Sequence, residues 1–246
     1  MSIINIILLC LFIFYSSKYL PVMYVIISLI LLFIIHKLIH KSILLNDLIN
    51  LNTNDVYELS ETGDLIYFRW NEVALGNEMI SPFTHIGMII EINNKKYIIE
   101  THAKGDTKNM GVDTGGVHIY PLKMRLNYYE GNTFLVKIKN EYKPTYDNIK
   151  YFIEDINDLK AIPFKENYKD FFYKKCIKRR VCDNCFGNED ITDTLMCSEF
   201  VGICLKKLKI VDDTFEYMCL APYDFQFIKK NNSYIYENII FKVRRV

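Results

Sequence analysis

The chain opens with two runs of apolar residues and then changes character. Ile3 to Tyr15 is broken only by Asn5, Ser16-Ser17-Lys18 interrupts, and Leu20 to Ile35 is apolar again before His36-Lys37-Leu38-Ile39-His40-Lys41. A membrane span needs about 20 apolar residues, and flanking positions can extend both runs toward that length. One arrangement is a helical hairpin turning at Ser16 to Pro21. The other is one long span preceded by an interfacial or signal-like segment. A cleaved signal is disfavoured because no basic stretch precedes the run and no small-residue cleavage site follows it. Neither run has the amphipathic period of a helical hairpin packed on a soluble core. Residues 1–42 therefore predict a membrane anchor of one or two helices. Lys37 and Lys41 against Lys18 place the remainder on the cytoplasmic side.

After residue 42 the pattern becomes that of a folded domain over 43–246. Ser42 to Glu61 carries a mixed apolar stripe and predicts a helical linker. Gly63-Asp64-Leu65-Ile66-Tyr67-Phe68 opens a strand. Thr84 to Ile92 and Lys95 to His102 alternate as two strands joined at Asn93-Asn94, and asparagine tolerates the positive φ of a two-residue hairpin turn. Lys104 to Gly116 is a loop, Val117 to Tyr120 a short strand ended by Pro121, and Thr133 to Lys139 another strand. Ile149, Phe152, Ile153 and Ile156 put one apolar face on a helix over Thr145 to Leu159. Pro163 to Asp193 is polar, aromatic and irregular, and reads as an insertion. A helix over Leu195 to Leu208 and a strand over Ile235 to Val243 complete an α+β domain with a small antiparallel sheet.

Charge adds little. The net formal charge is +1, and the 30 basic residues less the three lysines of the first 42, against 29 acidic, leave a near-neutral domain. Nothing there calls for a nucleic-acid partner. The seven cysteines are odd in number, and Cys10 lies in an apolar run. A domain this large does without a disulfide framework, so the thiols read as reduced and cytosol-facing.

Candidate chemistry resides in that hairpin and the helix near residue 197. Side chains alternate across a strand, so His85 and Gly87 share a face, as do Glu100 and His102. A two-residue turn at Asn93-Asn94 sets His85 opposite His102 and Gly87 opposite Glu100. Glu100 is then diagonal to His85 and within side-chain reach. Cys197 follows Thr194, a candidate N-cap, so its thiol meets free amides and the positive end of a helix. Both favour thiolate, and the same amides can receive an oxyanion. The roles that follow are Cys197 as nucleophile, His85 as general base and then acid, and Glu100 as the orienter of His85. A strand histidine or a helical cysteine alone is more often structural; the combination is more specific.

Gly63-Asp64-Leu65-Ile66, Thr84-His85-Ile86-Gly87-Met88, Ile98-Ile99-Glu100-Thr101, Gly116-Val117-His118-Ile119-Tyr120-Pro121-Leu122 and Cys197-Ser198-Glu199-Phe200-Val201 occur in that order. The series resembles the circularly permuted, papain-like NlpC-type family. Its YaeF/YiiX-like group of amidase-like proteins has relatives in poxviruses. The resemblance covers roughly Glu61 to Leu208. It implies a permuted papain-like fold in which the histidine precedes the cysteine, and a triad of Cys197, His85 and Glu100. It places Asp64 and Ser198 in the substrate and oxyanion region. Related lecithin:retinol acyltransferase-type enzymes use a second histidine, which leaves His102 as the alternative third member.

The resulting expectation is a membrane-anchored cysteine hydrolase or acyltransferase. It would act on an amide or ester of a lipid, lipidated protein or peptide through an acyl-cysteine, without cofactor or metal, at a cellular or viral membrane. The resemblance and the Ile-, Asn- and Lys-rich composition make a large DNA virus a candidate source. Two other readings stay open. One is a catalytically silent, membrane-tethered interaction module. The other is a zinc-stabilised binding domain using Cys176, Cys182 and Cys185, which falls short of the four ligands a structural zinc needs. The basic run Lys174, Lys175, Lys178, Arg179 and Arg180 is a solvated face or a contact for anionic headgroups.

Overall fold

Alternation along the chain from Leu65 onward builds a sheet, and the ends of its strands carry the candidate chemistry. A computed structural model describes residues 24, 27–28, 31, 48–70, 82–104, 107, 110–111, 114–160, 195–217 and 220–245. The chain divides into two compact units, Met1–Asp47 and Leu48–Val246. In the first, Tyr24, Ile27, Ser28 and Leu31 are helical, and the rest of the expected anchor lies outside the described residues. Among the described residues no helix is long and apolar enough to cross a membrane.

In the second unit the strands are β1 (Ile49–Asn52), β2 (Leu65–Arg69), β3 (His85–Ile92), β4 (Lys95–His102), β5 (Gly116–Pro121), β6 (Asn132–Ile138), β7 (Lys229–Lys230), β8 (Ser233–Tyr234) and β9 (Tyr236–Arg244). The helices are α1 (Thr53–Leu59), α2 (Leu122–Tyr128), α3 (Tyr146–Lys160) and α4 (Cys197–Lys207). The α+β class holds. The sheet is larger than a small antiparallel one: seven strands run in the order β1-β9-β6-β2-β3-β4-β5, with β7 and β8 a separate hairpin. It is also mixed, because β1 pairs parallel with β9, Ile49 opposite Phe241.

The segment expected as a helical linker is thus corrected to a strand followed by a helix. Asn52 makes the break. Its side chain accepts from the Asp55 amide at 2.9 Å, and the Asp55 carboxylate accepts from the Asn52 amide at 3.1 Å, a capping box that starts α1 late. The β3–β4 hairpin has the register that its turn dictates. Asn93 and Asn94 take φ of 50° and 58°, and Ile92 pairs with Lys95.

β2 and most of β3 are buried on both faces, so the sheet is a middle layer. On one face Ile66, Phe68, Ile89, Ile98 and Leu135 pack with Val56 of α1 and with Leu122 and Leu126 of α2. Helix α4 packs on β3 and β4. At Gly202 of α4 an added Cβ would stand 2.3 Å from the Cβ of Tyr217, so glycine is what lets that tyrosine close on the helix. The irregular stretch 163–193 lies outside the described residues, apart from which the chain returns at Leu195 to enter α4.

Candidate active site

His85 is the first residue of β3 and Glu100 lies near the end of β4, so both stand at the same end of the hairpin. The diagonal contact predicted from the register is present. His85 Nε2 lies 2.8 Å from Glu100 Oε2. A carboxylate only accepts, so Nε2 carries the proton and donates. With Nε2 turned to Glu100, Nδ1 is the nitrogen left for Cys197, whose side chain favours the protonated form of the imidazole. The three residues expected as a triad are therefore brought together. The histidine side chain is 13% exposed and Glu100 is fully buried.

Cys197 is the first residue of α4, and Met196, in extended conformation, is its N-cap. The helix thus starts two residues later than Thr194 would have started it, and Thr194 lies outside the described residues. Glu199 Oε2 accepts from the Met196 amide at 3.0 Å, and the first helical bond runs from Phe200 N–H to Met196 C=O at 2.9 Å. The amides of Cys197 and Ser198 precede that ladder, next to the thiol and at the positive end of the helix. Ser198 is buried as the second residue of α4.

Sequence reasoning missed the partner on the far side of Glu100. Arg125 Nε of α2 donates to Glu100 Oε1 at 2.5 Å, and both side chains are buried. The guanidinium carbon lies 4.6 Å from the centre of the Phe68 ring and 5.3 Å from that of Tyr129, so aromatic faces flank the charge. Phe68 in turn sits 5.1 Å from the His85 ring, and Tyr129 leads on to the partly exposed Trp70. The available signal was a helix stripe of Leu122, Arg125 and Leu126, in which an arginine occupies an apolar position.

These contacts set the charges. Burial alone would raise Glu100, but Arg125 and His85 hold it down to about 2. Burial alone would lower His85, but its hydrogen bonds to Cys197 and Glu100 raise it to about 9. The cluster thus favours a carboxylate beside an imidazole with high proton affinity.

His102 is placed differently. It is buried two residues beyond Glu100 with both nitrogens engaged. Nδ1 donates to the Ala103 carbonyl at 3.0 Å, so Nε2 accepts from the Tyr120 hydroxyl at 2.7 Å. Its ring stacks on His118, centres 4.5 Å apart. Burial lowers its proton affinity. Glu100, not His102, contacts His85. Asp64 is also apart from the cluster. Phe68 is the residue opposite His85, so Asp64 sits four positions farther along, about 13 Å at roughly 3.3 Å per residue. Its carboxylate accepts from the amides of Ile138 and Glu61, both at 2.8 Å, and burial raises it to about 6. It ties the start of β2 to β6 instead of facing a substrate.

Among the described residues no three His, Cys, Asp or Glu side chains converge to hold a metal ion. Cys176, Cys182 and Cys185 lie outside the described residues. Cys204 is buried in α4, and burial pushes its thiol well above the ordinary range.

No family model matches the sequence. No curated protein matches it either. Among solved structures the chain is similar to the metalloprotein YiiX of Escherichia coli O157:H7, from the DUF1105 group. The TM-score is 0.39 and the identity 17%, over 60% of this chain and 66% of that one, just under two thirds of its length. YiiX belongs to the YaeF/YiiX-like group that the motifs resemble. The likeness is too weak to carry fold or activity across.

Proposed function

We propose that this chain is a cysteine acyl-transfer enzyme, a hydrolase or acyltransferase of the permuted papain-like, NlpC-type kind. The observation that carries the reading is His85 at the start of β3, held at 2.8 Å by the buried carboxylate of Glu100, with Cys197 at the N-terminus of the helix that packs on that strand. In the reaction His85 takes the thiol proton and the sulfur attacks the carbonyl carbon of an amide or ester. A carbon–sulfur bond forms, and the carbonyl oxygen becomes an oxyanion facing the amides of Cys197 and Ser198. The oxyanion collapses, the carbon–nitrogen or carbon–oxygen bond breaks, and His85 gives its proton to the leaving amine or alcohol. Water, or an acceptor hydroxyl or amine, then attacks the thioester with His85 again as base. Glu100 holds the ring through Nε2 so that Nδ1 stays aimed at sulfur.

The apolar runs Ile3 to Tyr15 and Leu20 to Ile35 support a membrane-tethered enzyme. Tethering raises the local concentration of a lipid, a lipidated protein or a membrane-proximal peptide without selecting the bond. The reading is tested by incubating the full chain in detergent with activated acyl esters and thioesters and looking for an acyl adduct by mass spectrometry. A hydroxylamine-labile adduct at Cys197 that is lost in Cys197→Ser and His85→Ala supports it. Absence of any adduct at Cys197 refutes it and favours an interaction module on the same scaffold.

A further inference from the structure

We infer that Arg125 is a positioning residue of the site: it balances the charge of Glu100 so that the carboxylate orients His85 and holds its proton less tightly than an unpaired carboxylate would. The inference rests on the cysteine acyl-transfer reading. The geometry gives Glu100 two separate tasks, one per oxygen. Oε2 accepts from His85 at 2.8 Å and Oε1 from Arg125 at 2.5 Å. A buried carboxylate facing an imidazole alone would form a closed ion pair with it, and an imidazolium held that way cannot act as base for the incoming acceptor. With the guanidinium on its other oxygen, the carboxylate's charge is already balanced. The Glu100–Arg125 pair then acts on the ring as a neutral hydrogen-bond acceptor of fixed direction.

Arg125 is itself held in place. It is 2% exposed, it projects from α2, and Phe68 and Tyr129 flank its guanidinium. Charged residues are rarely this buried unless they are paired. The pairing here is with the one carboxylate that, among the described residues, touches His85. Among the described residues the other titratable groups around Glu100 are His85 from β3, His102 on its own strand, and His118 and Tyr120 from β5, with His118 directly opposite Glu100 in register. From α4, Cys197 faces His85, and Glu199 is turned to the Met196 amide. Burial and its bond to Tyr120 keep His102 neutral near pH 7. Arg125 is therefore the fixed positive charge of the group.

Removing a fixed positive charge raises the proton affinity of every neighbour. The thiolate–imidazolium pair of Cys197 and His85 must then form at higher pH. The test is the pH dependence of iodoacetamide alkylation at Cys197 in the full chain in detergent, read peptide by peptide by mass spectrometry. In Arg125→Leu the acid limb should move up by about one pH unit or more, a roughly tenfold loss of rate on that limb. Arg125→Gln keeps a donor for Glu100 and removes the charge, so it should show the same shift even if the leucine variant fails to fold. Arg125→Lys keeps the charge and should return the limb to the wild-type position. A purely structural arginine would lower the amplitude in all three and leave the limb in place, and that result would overturn the inference while leaving the enzyme reading intact. A wild-type limb at the position of a free thiol, unmoved by His85→Ala, would overturn both.

Discussion

Replacing Glu100 with alanine separates what the buried network does for the fold from what it does for chemistry. The carboxylate is fully buried and bonded on both oxygens, to His85 at 2.8 Å and to Arg125 at 2.5 Å. Without it the Arg125 guanidinium stays in place between Phe68 and Tyr129 with no counter-charge. Removing one partner of a buried ion pair costs about 3–5 kcal/mol, because the other is left desolvated. For a domain of this size each kcal/mol lowers Tm by roughly 2–4 °C, so Glu100→Ala should melt roughly 6–20 °C below wild type. The control is Glu100→Gln combined with Arg125→Met, which removes both charges and keeps the volume. Replacing a buried pair by neutral groups is often neutral or stabilising, so the double variant should recover to within about 1 kcal/mol of wild type. Its Cys197 should react faster than in the single variant but with its acid limb displaced to higher pH than wild type, since the glutamine oxygen still accepts from His85 Nε2 while the fixed charge of Arg125 is gone. Urea unfolding followed by circular dichroism, with calorimetry for Tm, gives the energies. A cost below about 1 kcal/mol for Glu100→Ala, or a double variant as unstable as the single one, would refute the account of this pair.

Three further outcomes follow from the same coordinates. His85 is raised from 6.5 to about 9, so the stability it contributes is complete below pH 6.5 and is lost as the pH rises through 9, on the order of 3 kcal/mol in all. Urea titrations between those pH values should show that decline in wild type and a flatter line in His85→Ala; equal slopes would contradict it. His102→Ala should cost stability, because it removes the acceptor of the Tyr120 hydroxyl, yet leave the pH profile of Cys197 alkylation where it was; a shifted profile would make His102 part of the relay. Gly202→Ala should destabilise by about 1–3 kcal/mol through its clash with the Cβ and ring of Tyr217, and Tyr217→Gly, which removes both, should abolish most of that penalty; additive losses would mean the two do not collide.

The parts of the site that depend on local rules were legible in the sequence. Two asparagines that tolerate positive φ fix a two-residue turn, and the turn fixes which residues of β3 and β4 face each other. Glu100 was thereby placed beside His85 before any coordinates. The same holds for Cys197 near a helix start, although Met196 takes the N-cap position because Glu199 reaches back to its amide. What was not legible depends on distant pairing. β1 pairs with β9 from the far end of the chain, and a four-residue strand that ends on the capping asparagine carries no alternation long enough to separate strand from helix. Arg125 was missed because the seven-residue helix that carries it, between the strand ended by Pro121 and the strand from Thr133, was not read from the sequence at all. Only the packing of α2 against the sheet turns it inward to a carboxylate on another element. The surroundings of Asp64 were not legible for the same kind of reason: its two backbone partners come from the turn before β2 and from β6.

The most direct test of an activated thiol at Cys197 is its alkylation rate as a function of pH, in wild type and in His85→Ala. The account predicts that near neutral pH the wild-type Cys197 is alkylated many times faster than Cys197 of His85→Ala. A Cys197 that reacts along the curve of an ordinary thiol, with no change on removing His85, would contradict it.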